Sequence, residues 1–143
     1  MDKPRKLSGW TVKLSEFIES RRSTPFKWGE NDCCLFACDA IAVLTGIDPA
    51  AKSFRGKYTT ALGAGRLLKK SGGVKGVAAK QCQKHGFDEV PVAFAQRGDV
   101  VLIDLPGIGD TLGICTGVIS VFPGEAGLVE NPTLVCRKAW RIG

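Results

Sequence analysis

One stretch decides the fold of this 143-residue chain: residues 28–40, "WGENDCCLFACDA". Aspartate and asparagine are strong helix N-caps, so Asn31 or Asp32 predicts a helix that begins near Cys33. The residues that follow are apolar almost all round the helix, apart from Asp39. An all-round apolar surface is typical of a buried helix, so we expect this one at the centre of the molecule.

Around this helix, the sequence predicts helices first and strands second. Three further helices are predicted: one ending near residues 21–22, and two over 59–70 and 74–85. Strands are predicted in "GDVVLIDL", "LVE" and "TLVCRKAWRI", and either one strand or a pair in "TLGICTGVISVF", with turns at "PGIGD" and "PGEAG". This order indicates an α+β fold with an antiparallel sheet. We predict a single domain over residues 1–143, with residues 1–9 as a flexible basic tail.

Charge and hydropathy exclude several classes of protein. The net charge of +6 favours acidic partners, but the basic residues are scattered, and no zinc-finger spacing or RNA-binding aromatic motif accompanies them. We therefore predict no nucleic-acid partner. The longest apolar run is too short for a membrane helix, and we expect no signal peptide and synthesis in the cytosol.

The position of Cys33 has chemical consequences. At a helix N-terminus the partial positive charge and free N–H groups favour a thiolate and can hold an oxyanion. A cysteine at a helix start, packed on a sheet that supplies the base, is the general arrangement of papain-like peptidases. That chemistry also needs an imidazole to take and return a proton.

Two motifs resemble the NlpC-type cell-wall cysteine peptidases. "PFKWGENDCCLF" resembles their nucleophile segment, where an aromatic–Gly approach leads to Asp-Cys at a helix start, and "RGDVVLI…TLGICTG" resembles their following strands. Over most of its length the chain also resembles a small family of unassigned phage proteins encoded among tail-tip genes. That resemblance is carried by "WGENDCCLFACDA", "GIDPA", "FRGKYTTALGA", "RGDVVLID", "LGICTG" and "AWRI".

The resemblance implies an NlpC-like, papain-type architecture and a set of site residues. Cys33 falls on the nucleophile position, directly after Asp32, and Trp28 belongs to the aromatic–Gly approach. Thr111 falls where the peptidases have histidine, and threonine cannot act as a base near neutral pH. The single histidine, His85, is explained by a favourable helix C-terminus. Nearby carboxylates, at positions 104 and 110, are poor substitutes for imidazole.

The remaining cysteines and aspartates have structural explanations. Cys34 and Cys38 share a helix face with Cys33, but C-C-x-x-x-C is no recognised ligand spacing, so we predict core packing, no metal and no cofactor. Asp39, alone in the apolar helix, is expected to pair with an arginine such as Arg55. Buried packing is also expected for the cysteines at 82, 115 and 136, and a turn-fixing role for the aspartate at 99.

Two functional hypotheses follow from the resemblance. The first is a structural component of a bacteriophage tail tip that has lost its catalytic base, located in the virion tail and contacting hub or distal tail proteins. The second is an active peptidase or amidase that cuts peptidoglycan stem peptides during infection, with Cys33 as its nucleophile. What faces the Cys33 sulfur distinguishes the two hypotheses.

Overall fold

A computed structural model describes residues 3–143, and within them four α-helices precede a six-stranded antiparallel sheet. The helices are α1 (Trp10–Arg21), α2 (Cys33–Thr45), α3 (Ala61–Lys69) and α4 (Gly73–Lys84). The strands are β1 (Glu89–Val90), β2 (Val100–Leu105), β3 (Gly109–Cys115), β4 (Ile119–Gly124), β5 (Gly127–Pro132) and β6 (Lys138–Trp140). The predicted α+β class is confirmed.

Helix α2 is the centre of the main core, as its composition predicts. The Asp32 side chain caps its first turn by accepting a hydrogen bond from the Leu35 N–H, and Gly46 ends the helix in the left-handed conformation at φ 81°. Glycine adopts this conformation without the steric cost that a side chain would bring. The helix packs between α1 and strand β3, and its buried residues share one hydrophobic cluster with Leu112 of that strand.

The sheet has the order β1-β6-β2-β3-β4-β5 and separates two apolar clusters. Along each strand alternate side chains point to opposite faces. Leu102 and Leu112, which pair across β2 and β3, belong to the main core on the helix side. Ile103 belongs to a smaller outer cluster, together with Phe122. Two short 3-10 helices, Val92–Phe94 and Thr133–Val135, lie in the segments that flank this outer cluster.

A buried carboxylate joins the start of β2 to the C-terminal segment. Asp99 is fully buried and accepts hydrogen bonds from the backbone N–H of Gln96 (2.8 Å) and of Ile142 (3.3 Å). The Arg141 Nε lies 3.0 Å from the same side chain. We call these four residues the Asp99 junction. The predicted role of Asp99 in fixing the turn is confirmed, and the additional link to the C-terminus emerges only in the folded chain.

Differences from the sequence prediction concern short elements. The stretch "TLGICTGVISVF" forms the pair of strands that was one of its two predicted alternatives, whereas "TLVCRKAWRI" forms a 3-10 helix followed by the three-residue β6. Strand β1, of two residues, was not predicted because it has no periodicity of its own; it exists through its pairing with β6. Pairing of this kind depends on a distant segment, which a local pattern does not reveal.

The described part of the N-terminal segment lies against the domain. Residues 1 and 2 lie outside the described residues; over 3–9 the Leu7 N–H donates to the Leu44 carbonyl at 2.7 Å, and the Lys6 ammonium lies over the Trp10 ring. Within residues 3–143, no helix combines the length and apolar character that crossing a membrane requires.

Candidate active-site cleft

Asp32 organises the backbone around the start of α2. Its Oδ1 accepts from the Leu35 N–H at 2.9 Å, and its Oδ2 accepts from the Gly29 N–H at 3.0 Å and from the Tyr58 hydroxyl at 2.6 Å. The side chain is almost fully buried, so these donors take the place of solvent. The approach to the helix is thereby fixed on both sides of Cys33.

Gly29 and Tyr58 explain the close approach of two loops at this point. Gly29 has φ 81°, and a Cβ there would collide with the Tyr58 carbonyl oxygen. Burial and the hydrogen bond to Asp32 both raise the pKa of Tyr58, so its hydroxyl keeps its proton and remains a donor. The W-G dipeptide therefore has a steric reason, independent of any catalytic one.

The Cys33 sulfur lies at the N-terminus of α2, next to strand β3. A hydrogen bond from the Cys34 thiol lowers the pKa of Cys33, and a backbone hydrogen bond from Leu112 acts in the same direction, against the opposing effect of burial. The same contact, together with burial, raises the pKa of Cys34. Of the adjacent pair, Cys33 is the thiol that ionises first, which is the requirement for a nucleophile.

Cys33 opens into a cleft with a volume of about 460 Å³. We call this the Cys33 cleft. Its walls come from the approach to α2, the region around α3 and α4, and the β2–β3 and β4–β5 turns. Aromatic and aliphatic side chains line most of it: Phe26, Trp28, Tyr58, Leu68, Val74, Leu105, Ile108 and Pro123. Its charged residues are three carboxylates, Asp32, Asp110 and Glu125.

All four residues of the predicted site line this cleft: Trp28, Asp32, Cys33 and Thr111. The sequence thus located residues that the fold brings together across more than eighty positions. Trp28 is 38% exposed and packs edge-on against Phe26, at a ring-centroid distance of 4.8 Å. It therefore forms part of the wall of the cleft rather than of the core.

Thr111 lines the cleft, but it lies on the face of β3 that carries the outer cluster, not on the face toward the helices. It pairs with Ile103 of the outer cluster, and a Cβ at Gly113, two residues on, would collide with Phe122 of that cluster. By strand alternation, Asp110 and Leu112 take the helix-facing side. The Thr111 hydroxyl donates to the Gly109 carbonyl at 3.2 Å. The Thr111 hydroxyl is therefore hydrogen-bonded to the backbone two residues earlier in the same strand.

No nitrogen base is found among the described residues that line the cleft. Asp110, Thr111 and Leu112 of β3, at and beside the position where the peptidases have histidine, carry no imidazole. His85 lies at the C-terminal end of α4, with Nδ1 2.9 Å from the Gln81 carbonyl and its ring stacked on Phe87. It does not line the cleft.

The other cysteines occupy apolar surroundings. Cys34 is buried in the main core, where Cys38 is half-buried, and burial raises the pKa of Cys38 and of Cys82 to about 12 each. The predicted packing roles of Cys34 and Cys38 are confirmed, as are those of the cysteines at 82, 115 and 136. Within residues 3–143, no group of three or more His, Cys, Asp or Glu side chains is arranged to hold a metal ion.

The ionic contacts near α2 confirm the predicted partner of Asp39 and show a second one. Asp39 pairs with Arg55 at 2.6 Å, as predicted, and also with Arg21 at 2.7 Å.

Tyr58, whose hydroxyl binds Asp32, was missed as a site residue because 26 positions separate the two. It lies just before the helix predicted over residues 59–70, and nothing in the local sequence indicates that this segment packs beside the cysteine. Glu125, in the β4–β5 turn, was missed for the same reason.

Comparisons with known proteins give a family without an assigned activity. A search of curated proteins found no match to the chain. A family described as "Domain of unknown function (DUF6950)" matches residues 5–142, nearly the whole sequence. The match spans the Cys33 cleft, the sheet and the Asp99 junction together. The chain therefore belongs to the DUF6950 family.

Proposed function

We propose that the protein is a structural component of a bacteriophage tail tip, built on a degenerate NlpC-like, papain-type cysteine peptidase fold. The observation that carries the loss of catalysis is the Cys33 cleft, whose described lining contains a helix-start cysteine but no nitrogen base. The tail-tip setting rests on the sequence resemblance, through motifs such as "WGENDCCLFACDA" and the closing "AWRI". Hub and distal tail proteins are the proposed partners.

The chemistry of thiol catalysis supports the non-hydrolytic assignment. A cysteine peptidase needs a group that accepts the thiol proton and later delivers it to the leaving amine near neutral pH. A carboxylate is a poor substitute for an imidazole in both of these steps, and the described lining of the cleft offers no other side chain that could take its place. A low-pKa Cys33 could form the thiolate, but the leaving group would still lack an acid.

A second candidate is an active hydrolase acting on peptidoglycan stem peptides, and one observation favours it. The pKa of Cys33 is lowered although the residue is buried, and the neighbouring helix N-terminus offers N–H groups to an oxyanion. In this alternative a partner chain supplies the base.

The test compares the purified protein with its Cys33→Ala variant on isolated peptidoglycan, with chromatography and mass spectrometry of released peptides. We expect no release by either protein, with equal folding by circular dichroism. Release that depends on Cys33 would overturn the structural proposal.

A genetic experiment addresses the tail-tip setting and a base supplied in trans. In a phage that carries the gene, deletion should abolish normal tail tips in electron micrographs, and Cys33→Ala should restore both tails and infectivity. Normal tails without infectivity in the Cys33→Ala phage would instead indicate a hydrolase completed by a partner. Normal, infectious particles after deletion would overturn the structural assignment.

A further inference from the structure

The charge of the Cys33 cleft is opposite to that of the protein. The chain carries a net charge of +6, yet the described lining of the cleft contains no lysine or arginine and three carboxylates. Both carboxylate oxygens of Asp32 already accept hydrogen bonds, from Leu35, Gly29 and Tyr58. The two charges left to face a ligand are therefore Asp110 and Glu125.

These two carboxylates are free of ion pairs within the described part of the chain. Both are exposed at the mouth of the cleft, and neither forms a salt bridge or a side-chain hydrogen bond with residues 3–143. Asp110 also faces Asp104 directly across β2 and β3, and the contact of Asp104 with Arg137 at 3.3 Å is solvent-exposed, so it offsets little of the repulsion between the two carboxylates. Like charges opposite each other destabilise a sheet, so folding gains nothing from Asp110.

Apolar side chains are presented beside the two carboxylates. Ile108, at the tip of the β2–β3 turn, is 77% exposed, and Trp28 stands 38% exposed in the wall. The volume of about 460 Å³ is within the range of roughly 300–1,000 Å³ typical of ligand pockets. Exposed aromatic and aliphatic anchors around a concave surface are typical of sites where a partner inserts a few side chains.

We propose that the Cys33 cleft binds a segment of a partner protein in which a lysine or arginine is flanked by apolar residues. The apolar residues fill the wall formed by Trp28 and Ile108, and the cation lies between Asp110 and Glu125. The carboxylates repel anionic polymers, which excludes nucleic acid and phosphate-rich surfaces as occupants. This inference rests on the proposed function, since it takes the cleft as a docking site rather than a catalytic one.

The test is a selection from a synthetic library of N-acetylated, C-amidated hexapeptides, using the full chain. The wild-type protein should enrich peptides that have Lys or Arg next to an apolar residue. The Asp110→Asn/Glu125→Gln variant should lose that enrichment. The matched control, Glu16→Gln/Asp88→Asn, makes the same change of net charge at exposed positions outside the cleft and should select as the wild type does.

Fluorescence anisotropy with the best peptide then measures the contribution of the carboxylates. We expect the double variant to bind about fivefold more weakly than the wild type at low salt, and the difference to shrink at high salt. Equal affinity of the two proteins, enrichment of peptides without a cation, or no enrichment at all would each overturn the proposal. Tighter binding of purified peptidoglycan stem peptides than of the best hexapeptide would assign the cleft to cell wall instead.

These experiments distinguish a failure of the docking proposal from a failure of the proposed non-hydrolytic function. Mass spectrometry of the recovered hexapeptides detects cleavage, which bears on the catalytic question alone. Intact peptides held through Asp110 and Glu125 support docking. Cleaved peptides with the same charge preference would overturn the non-hydrolytic function and leave the charge recognition standing.

Discussion

Asp99 and Asp110 lie eleven positions apart on either side of β2, and the fold uses them in opposite ways. Asp99 is fully buried, and its oxygens accept from Gln96, Arg141 and Ile142. Asp110 is exposed beside the Cys33 cleft, opposite another carboxylate, without an ion-pair partner in residues 3–143. A satisfied buried charge indicates a structural role, while an unpaired charge on a concave apolar surface indicates a ligand.

The largest effect is expected at the junction. Asp99→Ala removes the acceptor for two backbone N–H groups and the partner of Arg141, so the free energy of unfolding should fall by about 3 kcal/mol in chemical denaturation. Asp88→Ala, at an exposed aspartate, is the control and should change it by less than about 0.5 kcal/mol. Equal losses of unfolding free energy in Asp99→Ala and Asp88→Ala would contradict the structural role of the buried, hydrogen-bonded carboxylate.

Asp32 tests whether the start of α2 is held as firmly as the junction. Asp32→Ala removes the N-cap and leaves the Gly29 N–H and the Tyr58 hydroxyl without their acceptor, so we expect a loss of about 2 kcal/mol. Asp32→Asn keeps one acceptor oxygen and should lose less than half as much. A loss for alanine no larger than that for asparagine would contradict the capping role.

Cys33 should be the most reactive thiol of the cleft. Because its pKa is lowered, its thiolate is present at lower pH than that of an ordinary cysteine, and the pH midpoint of its alkylation by iodoacetamide should lie below that of a cysteine in a short unstructured peptide. Cys34→Ala removes the hydrogen bond and should move this midpoint to higher pH. Labelling is followed by peptide mass spectrometry, and faster labelling of Cys34, the other thiol that lines the cleft, would contradict the prediction.

The smallest effect is expected at Asp110. Asp110→Asn relieves the repulsion from Asp104 across the strand pair, so it should raise the free energy of unfolding, by less than about 1 kcal/mol. The gain should shrink as salt screens the pair. Glu16→Gln, on the exposed face of α1, provides the comparison for loss of a single negative charge. Destabilisation by Asp110→Asn would mean that this carboxylate has a structural partner.

Local patterns predicted the helices well because the relevant interactions are short in sequence. The Asp32 cap, the apolar surface of α2 and the Gly46 stop all act within one helix. The pairing of Asp39 with Arg55 followed from the cost of an unpaired charge in an apolar helix. The unpredicted elements, such as β1 and the Tyr58 contact, depend on partners 26 or more positions away.

The candidate site was predicted in part. A capped helix start identified Cys33 from the sequence, and the resemblance of "TLGICTG" to the peptidase strand motif pointed to Thr111, which lines the same cleft. The sequence did not give the face of β3 that meets the cysteine. A one-residue change of register exchanges the two faces of a strand, and pairing with β2 fixes that register.

By itself, the sequence determined the class of fold, the buried helix and the position of a thiol at the start of that helix, because helix caps and apolar periodicity are local properties. Only the tertiary structure decided which groups surround that thiol. Folding brought Asp110 and Glu125 to one mouth, kept His85 at the far end of α4, and joined Asp99 to the C-terminus. Charges that are distant in sequence interact only in the folded chain, because bringing them together costs conformational entropy that the whole fold must offset.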